Sequence, residues 1–327
     1  MTFPPVPSSP EEYAILGFAL LGGAVVFSFV ANACSFVYGH FLRPGFNLKK
    51  KYGLWAVVTG ATDGIGKGLA FEFAKKGHNV VLISRTKDKL TECAKELTDK
   101  YPKVEVKVLD IDYGNFDAAA RARVVALLNG LDVGVLVNNV GISYPYTKYF
   151  HELDDDRVAQ LIDLNVDSTT WMTRIVLPGM LARKRGAIVN MGSGAGVSVS
   201  PLLAQYGAAK SYVAMFSKAL NAELKSQGIH VQCQVPLFVA TKLAKIKRAS
   251  LFVASPAGYA RAAVASIGYE SLVSPFWTHA IQIWLLNALP EWVVTNFVML
   301  PMHKGIRAAG MKKDARAAAE GGDKKNT

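Results

Sequence analysis

Val57-Val58-Thr59-Gly60-Ala61-Thr62-Asp63-Gly64-Ile65-Gly66 is the stretch that decides the fold. A short β-branched run ends in a turn with three glycines, and a helical pattern follows it. Glycines at such a point permit a tight turn and let the backbone approach a pyrophosphate at a helix N-terminus. The turn gains meaning from what surrounds it. Strands are expected at 55–59, 79–84, 104–110, 133–138, 186–191 and 230–235, with helical stretches such as 66–76 and 211–227 between them. Nearly continuous apolar strands alternating with helices predict a parallel sheet covered on both faces, an α/β doubly wound Rossmann-type architecture.

The cofactor is read from the turn and from the end of the second strand. Gly60, Thr62, Asp63, Gly64, Ile65 and Gly66 are the candidate dinucleotide-binding residues of the turn. An acid at the end of strand two would bind a ribose 2′-hydroxyl and repel a 2′-phosphate. The sequence there is Leu82-Ile83-Ser84-Arg85. The planar fork of Arg85 suits a phosphate, so NADPH is expected. Asp110, closing strand three, is a candidate contact to the adenine amino group, with a loop cap as its alternative.

Tyr206 and Lys210 stand four residues apart in a predicted helix and share one face. A phenol titrates near 10 and is a weak acid at neutral pH; a neighbouring ammonium lowers that value. Tyr206 is therefore the candidate proton donor to a carbonyl oxygen that receives hydride. Ser193 follows the strand at 186–191, placed so that its hydroxyl can bond the same oxygen.

These residues together resemble the short-chain dehydrogenase/reductase family. Thr59 through Gly66 match its cofactor motif. Asn138-Asn139-Val140-Gly141 match its Asn-Asn-Ala-Gly motif with Val140 in place of Ala, and Asn165 in Leu164-Asn165-Val166 stands at its catalytic Asn. The resemblance spans about residues 53–241. It implies that Ser193 polarises the carbonyl, Tyr206 donates the proton, Lys210 lowers the Tyr206 pKa and holds the nicotinamide ribose, and Asn165 positions a relay water. It adds Asn138, Gly141, Tyr206, Lys210, Val239 and Thr241 to the cofactor contacts. Leu237, after Pro236, departs from the family's usual Pro-Gly and loosens the expectation for Val239 and Thr241.

Within the family, the chain is similar to the very-long-chain 3-oxoacyl-CoA reductases of fatty-acid elongation, also described as 17β-hydroxysteroid dehydrogenase type 12-like. The residues carrying this are Gly141 to Tyr146, Tyr149-Phe150-His151-Glu152, Val231 to Pro236, and Phe238 to Lys242. That similarity implies reduction of a 3-oxoacyl-CoA to the 3-hydroxyacyl-CoA at the endoplasmic reticulum. Its expected partners are the acyl-CoA substrate and the other elongase subunits, namely the condensing enzyme, dehydratase and enoyl reductase, with a possible homodimer. Rings of the stretch 144–150 could line an acyl entrance or simply pack. A hydroxysteroid or retinoid oxidoreductase would share every catalytic residue. A non-catalytic scaffold would be expected to break the set, which is intact.

The remaining chain speaks of membranes. The 327 residues are 51 % hydrophobic, with a mean hydropathy of +0.21. Much of that excess lies in an uncharged run at 13–38, long enough to span a bilayer. Arg43, Lys49, Lys50 and Lys51 follow it, while only Glu11 and Glu12 are charged before it, which predicts that the main domain faces the cytosol. The expected organisation is a lumenal tail at 1–12, an anchor at 13–38, a basic linker at 39–52, a reductase domain at 53–275, a membrane-associated tract at 276–302 broken at Pro290-Glu291, and a basic, disordered tail at 303–327. The tail ends Lys324-Lys325-Asn326-Thr327, which resembles a dilysine retrieval signal. The three cysteines lie far apart, no metal-ligand spacing is present, and none of the motifs that read nucleic acid accompanies the net charge of +12.

Overall fold

The computed structural model describes residues 8–323. The first seven residues and the dilysine end at Lys324-Lys325 lie outside the described residues. The chain divides into two compact units, Met1–Pro44 and Gly45–Thr327.

The first unit is one helix, α1 (Pro10–Val37), continued by a π-helical turn, Tyr38–Leu42. Ser9 caps it by accepting the Glu12 N–H at 3.3 Å, and Pro10 occupies the first turn, where its missing N–H costs nothing. The 33 helical residues reach about 50 Å. That exceeds the roughly 30 Å hydrocarbon core of a bilayer. No residue of α1 is buried among the described residues. The uncharged run thus stands as a helix with its apolar side chains unpacked.

The second unit runs α2 (Leu48–Tyr52), β1 (Trp55–Thr59), α3 (Gly64–Lys75), β2 (Asn79–Ser84), α4 (Lys87–Lys100), β3 (Val106–Asp110), α5 (Ala118–Leu128), β4 (Val133–Asn138), α6 (Asp155–Ile162), α7 (Ser168–Arg183), β5 (Gly186–Met191), α8 (Ala204–Leu224), β6 (Ile229–Gln234), α9 (Pro256–Ser266) and β7 (Leu272–Val273). Then come α10 (Trp277–Ala288), α11 (Glu291–Val293) and α12 (Leu300–Asp323). The seven strands are parallel in the order β3-β2-β1-β4-β5-β6-β7, so the chain reverses its direction of growth between β1 and β4. Alternate residues of β1 feed the two faces. Ala56 and Val58 pack with Leu69 and Phe73 of α3 and Tyr259 of α9. Val57 packs with Met172, Val176 and Met180 of α7 on the other side.

Several expected bounds shift. β3 starts at Val106 rather than 104, and β6 covers Ile229–Gln234 rather than 230–235. The first crossover helix starts at Gly64, because Asp63 caps it, and the helix expected at 211–227 begins at Ala204. The two-residue β7 was not expected. It pairs with Cys233 and Gln234, and buried Gln232 fixes the chain leading into it by donating to the Ser266 and Glu270 carbonyls at 3.0 and 2.8 Å.

The expected disordered tail is a helix through Asp323. Its Ala, Lys and Arg residues favour helix, and tertiary anchors fix it. Thr147 donates to the His303 carbonyl at 2.6 Å, the His303 ring bonds the Pro201 carbonyl at 2.6 Å, and Arg307 forks onto Glu152. Any side chain at Gly310 would collide with the Tyr146 ring. The break at Pro290 is real: the helical stretches on its two sides are bent by 110°.

Candidate active site

The glycine turn lies at the switch point. Gly60 and Gly64 have φ of +63° and +55°, which a side chain would disfavour. A Cβ on Gly66 would strike the Gly60 carbonyl oxygen. Asn139 braces the turn from β4. Its Nδ2 donates to the Thr59 and Gly60 carbonyls at 3.1 and 3.2 Å, and its backbone N–H reaches Thr59 Oγ1 at 2.9 Å. Asp63 accepts the Gly64 N–H at 2.8 Å, and Thr62 Oγ1 meets Ser84 Oγ at 3.0 Å.

A cleft of about 360 Å³ opens over this turn. Of the expected cofactor residues, Gly60, Asp63, Gly64, Ile65, Arg85, Gly141 and Thr241 line it. Arg85 is exposed and carries no ion pair among the described residues. A glycine cradle, a helix N-terminus and a free guanidinium fit a phosphorylated dinucleotide.

Two expected side-chain contacts are corrected. Asn138 faces the interior, where its Nδ2 bonds Thr173 Oγ1 at 3.1 Å and Asn190 Oδ1 at 2.8 Å; Asn139 holds the turn instead. Asp110 lies outside the cleft lining, with its carboxylate on Arg123 at 2.9 Å, while Ile111, Asp112 and Tyr113 line the cleft. Val239 is 3 % exposed and its side chain packs in the core, while its backbone N–H and C=O take no part in the bridge to Ala254, which runs through Phe238 and Ala240.

Ser193, Tyr206, Lys210 and Asn165 come together at the C-terminal ends of β4 and β5. The Ser193 hydroxyl lies beside the Tyr206 phenol and accepts the Ala195 N–H at 3.2 Å. Burial pushes the Tyr206 pKa up, and the Ser193 hydroxyl opposes it. Lys210 stands one helical turn further along α8. Its Nζ lies 5.9 Å from the Tyr206 ring centre and donates to the Met191 carbonyl at 3.0 Å. Burial lowers the Lys210 pKa to about 8.

Asn165 sits in a π-helical turn, Asp163–Asp167, between α6 and α7. Its Nδ2 donates to the Ile142 and Leu161 carbonyls, both at 3.0 Å. Two carbonyls on one amide atom fix the other as oxygen, and this buried Oδ1 has no partner. A Cβ on Gly141 would stand 2.6 Å from that oxygen and 3.2 Å from Lys210 Nζ.

Sequence reasoning missed Tyr144 as a support. α8 has no side-chain cap at its start, and the buried Tyr144 hydroxyl accepts the Gln205 N–H at 3.0 Å. Tyr144 thus anchors the turn that carries Tyr206. Of the ring stretch 144–150, Tyr144 is buried and Tyr146 is half-buried against Gly310, while Phe150 is exposed.

Comparisons with known proteins agree with this geometry. Residues 54–251 match the family model described as short chain dehydrogenase. A very-long-chain 3-oxoacyl-CoA reductase of Anas platyrhynchos is 47 % identical over 80 % of this chain and 83 % of its own. The inactive hydroxysteroid dehydrogenase-like protein 1 of Homo sapiens is 42 % identical over 76 % of each chain. Among solved structures, a short-chain dehydrogenase from Sphingobium yanoikuyae in complex with NADPH superposes with a TM-score of 0.62 at 28 % identity, over 75 % of this chain and 97 % of its own.

Proposed function

The chain belongs to the short-chain dehydrogenase family and is an oxidoreductase of a CH–OH/C=O pair using a nicotinamide cofactor; we propose that it reduces very-long-chain 3-oxoacyl-CoA to 3-hydroxyacyl-CoA with NADPH. The observation that carries the reaction type is the convergence of the Ser193 and Tyr206 hydroxyls beside Lys210 and Asn165. The substrate comes from the relatives that bear this activity in their names. One relative is named inactive; the complete set of four residues supports catalysis here.

The bound cofactor supplies hydride to the carbonyl carbon. The protein's part is to manage the oxygen. Ser193 donates to it and orients it, and Tyr206 delivers a proton as charge develops. Tyr206 holds that proton at neutral pH, since burial raises its pKa. Lys210, cationic below about pH 8, favours the phenolate that remains. The free Asn165 Oδ1 is placed to accept from a water that returns a proton through Lys210. Arg85 takes the 2′-phosphate that distinguishes NADPH from NADH.

A long acyl chain partitions into lipid, so attachment to a membrane brings enzyme and substrate together. The N-terminal helix gives membrane association by length and composition. Its flanking charges favour a cytosolic domain, and the elongation reading carries the endoplasmic reticulum with it. Trp284, Leu285, Leu289, Trp292 and Phe297 are each at least half exposed on the bent helical stretches of 277–299. These suit a second, monotopic contact with the bilayer surface. The other elongase enzymes are the expected neighbours, and a homodimer is compatible with this reading.

The test is NADPH oxidation by detergent-solubilised protein, comparing a very-long-chain 3-oxoacyl-CoA with estrone and retinal. Preference for the acyl-CoA supports the reading. Preference for estrone or retinal moves the enzyme to steroid or retinoid chemistry, and no turnover of any carbonyl moves it to the scaffold class.

A further inference from the structure

A second cavity, of about 920 Å³, lies along one face of α3, against α4, α9 and the loop after Ala240. It meets the cofactor cleft at Asp63, Gly64, Thr241 and Lys242, which line both. Its volume is that of a small-molecule site. Eight lysines and arginines line it against three carboxylates, a net charge of about five. Two of those carboxylates are already engaged: Glu96 holds Lys67 at 2.7 Å, and Asp63 caps α3. Lys75, Lys247, Arg261 and Lys313 have no ion pair among the described residues. The cavity also holds two rings. Phe71 and Tyr101 meet edge to face at 6.5 Å, and Lys67 and Lys100 stand 5.7 and 5.9 Å from the Phe71 ring centre.

We propose that this cavity binds the nucleotide end of the acyl-CoA substrate, its purine against Phe71 and Tyr101 and its phosphates on Lys247, Arg261 and neighbouring cations. The assignment rests on the acyl-CoA reading above. Cations alone would suit any phosphate, including a lipid headgroup. Cations around an aromatic platform suit a purine nucleotide. Thr241 and Lys242 line both this cavity and the cleft, so the substrate's nucleotide end would lie beside the bound cofactor. Binding energy gathered far from the reacting carbon is then available to hold the thioester in place.

The experiment uses the full-length protein in nanodiscs and the double variant Lys247→Ala/Arg261→Ala, with Lys247→Glu/Arg261→Glu as a stronger form. Both positions lie outside the cofactor cleft. The KM for a 3-oxoacyl-CoA should rise about ten-fold in the alanine variant and further in the glutamate variant. The KM for the matching N-acetylcysteamine thioester, which lacks the nucleotide, and that for NADPH should stay within two-fold. Independently of turnover, adenosine 3′,5′-bisphosphate should bind the wild type and lose affinity in both variants. If that binding is absent, or unchanged in the variants, the assignment is wrong even where the reductase reading stands. If the variants lose only a preference for nanodiscs containing phosphatidylserine, the cavity is a lipid site and the assignment is overturned. If bisphosphate binds as expected but neither thioester turns over, the nucleotide site stands and the reductase reading falls.

Discussion

Asn165 Oδ1 and Lys210 Nζ flank a gap that only a glycine at position 141 leaves open: a methyl group there would lie 2.6 Å from the oxygen and 3.2 Å from the nitrogen. The gap is polar on both sides, and its oxygen lacks a protein partner. Gly141→Ala should therefore displace one or both groups. We expect a fall in kcat of about 10²-fold, the scale of an ångström's misplacement in an active site. Circular dichroism should show the fold retained. Unchanged kcat with a folded Ala variant would remove the proton-relay role from this gap.

Lys210 sets a pH limit. Burial holds its pKa at about 8, so its charge is lost as pH rises past that value. The rate of reduction should fall above about pH 8 when NADPH is saturating. Stability moves the other way. The unfolded lysine titrates near 10.5 and binds more protons than the folded one between about 8 and 10.5, so stability rises with pH through that window. Below pH 8 the buried charge costs on the order of 3 kcal/mol. Lys210→Met should raise Tm at pH 7, raise it less at pH 10, and abolish turnover. An equal Tm change at both pH values would contradict the buried-cation argument.

Arg85 is exposed and unpaired, at the end of β2. Removing a charge-assisted bond worth about 1.5–3 kcal/mol should raise the KM for NADPH ten-fold or more in Arg85→Ala. The KM for NADH should barely move. Lys67 is a poor substitute, since Glu96 holds it at 2.7 Å. An unchanged NADPH/NADH ratio would place the phosphate elsewhere.

α12 depends on a few anchors. The Arg307 fork onto Glu152 holds that carboxyl down to about 2, so the pair stays ionised across the neutral range. Arg307→Ala should make the helix more sensitive to trypsin between residues 304 and 316 while the sheet stays intact. Equal cleavage rates in wild type and variant would show that Thr147 and Pro201 hold the helix without it.

The sheet was legible because its strands are continuous apolar runs and its turn has glycines where side chains cannot go. Tyr206 and Lys210 were legible because helical spacing puts them on one face. Errors arose where one residue of phase decides direction. Asn138 is the last residue of β4 and points toward α7, while Asn139 points at the turn. Asp110 likewise points to Arg123. The π-helical turn around Asn165 has no periodic signature, and β7 is too short to leave one. α12 misled because its composition suits a solvated tail; only contacts with residues more than 100 positions earlier in the chain order it.

Tyr206→Phe tests the central claim most directly. The variant loses the proton donor and keeps the ring, so NADPH affinity measured by cofactor fluorescence should stay within about two-fold. Turnover of a very-long-chain 3-oxoacyl-CoA should fall by about 10³-fold, within the contribution expected of a positioned general acid. Retention of most of the turnover, with the same NADPH affinity, would contradict the account.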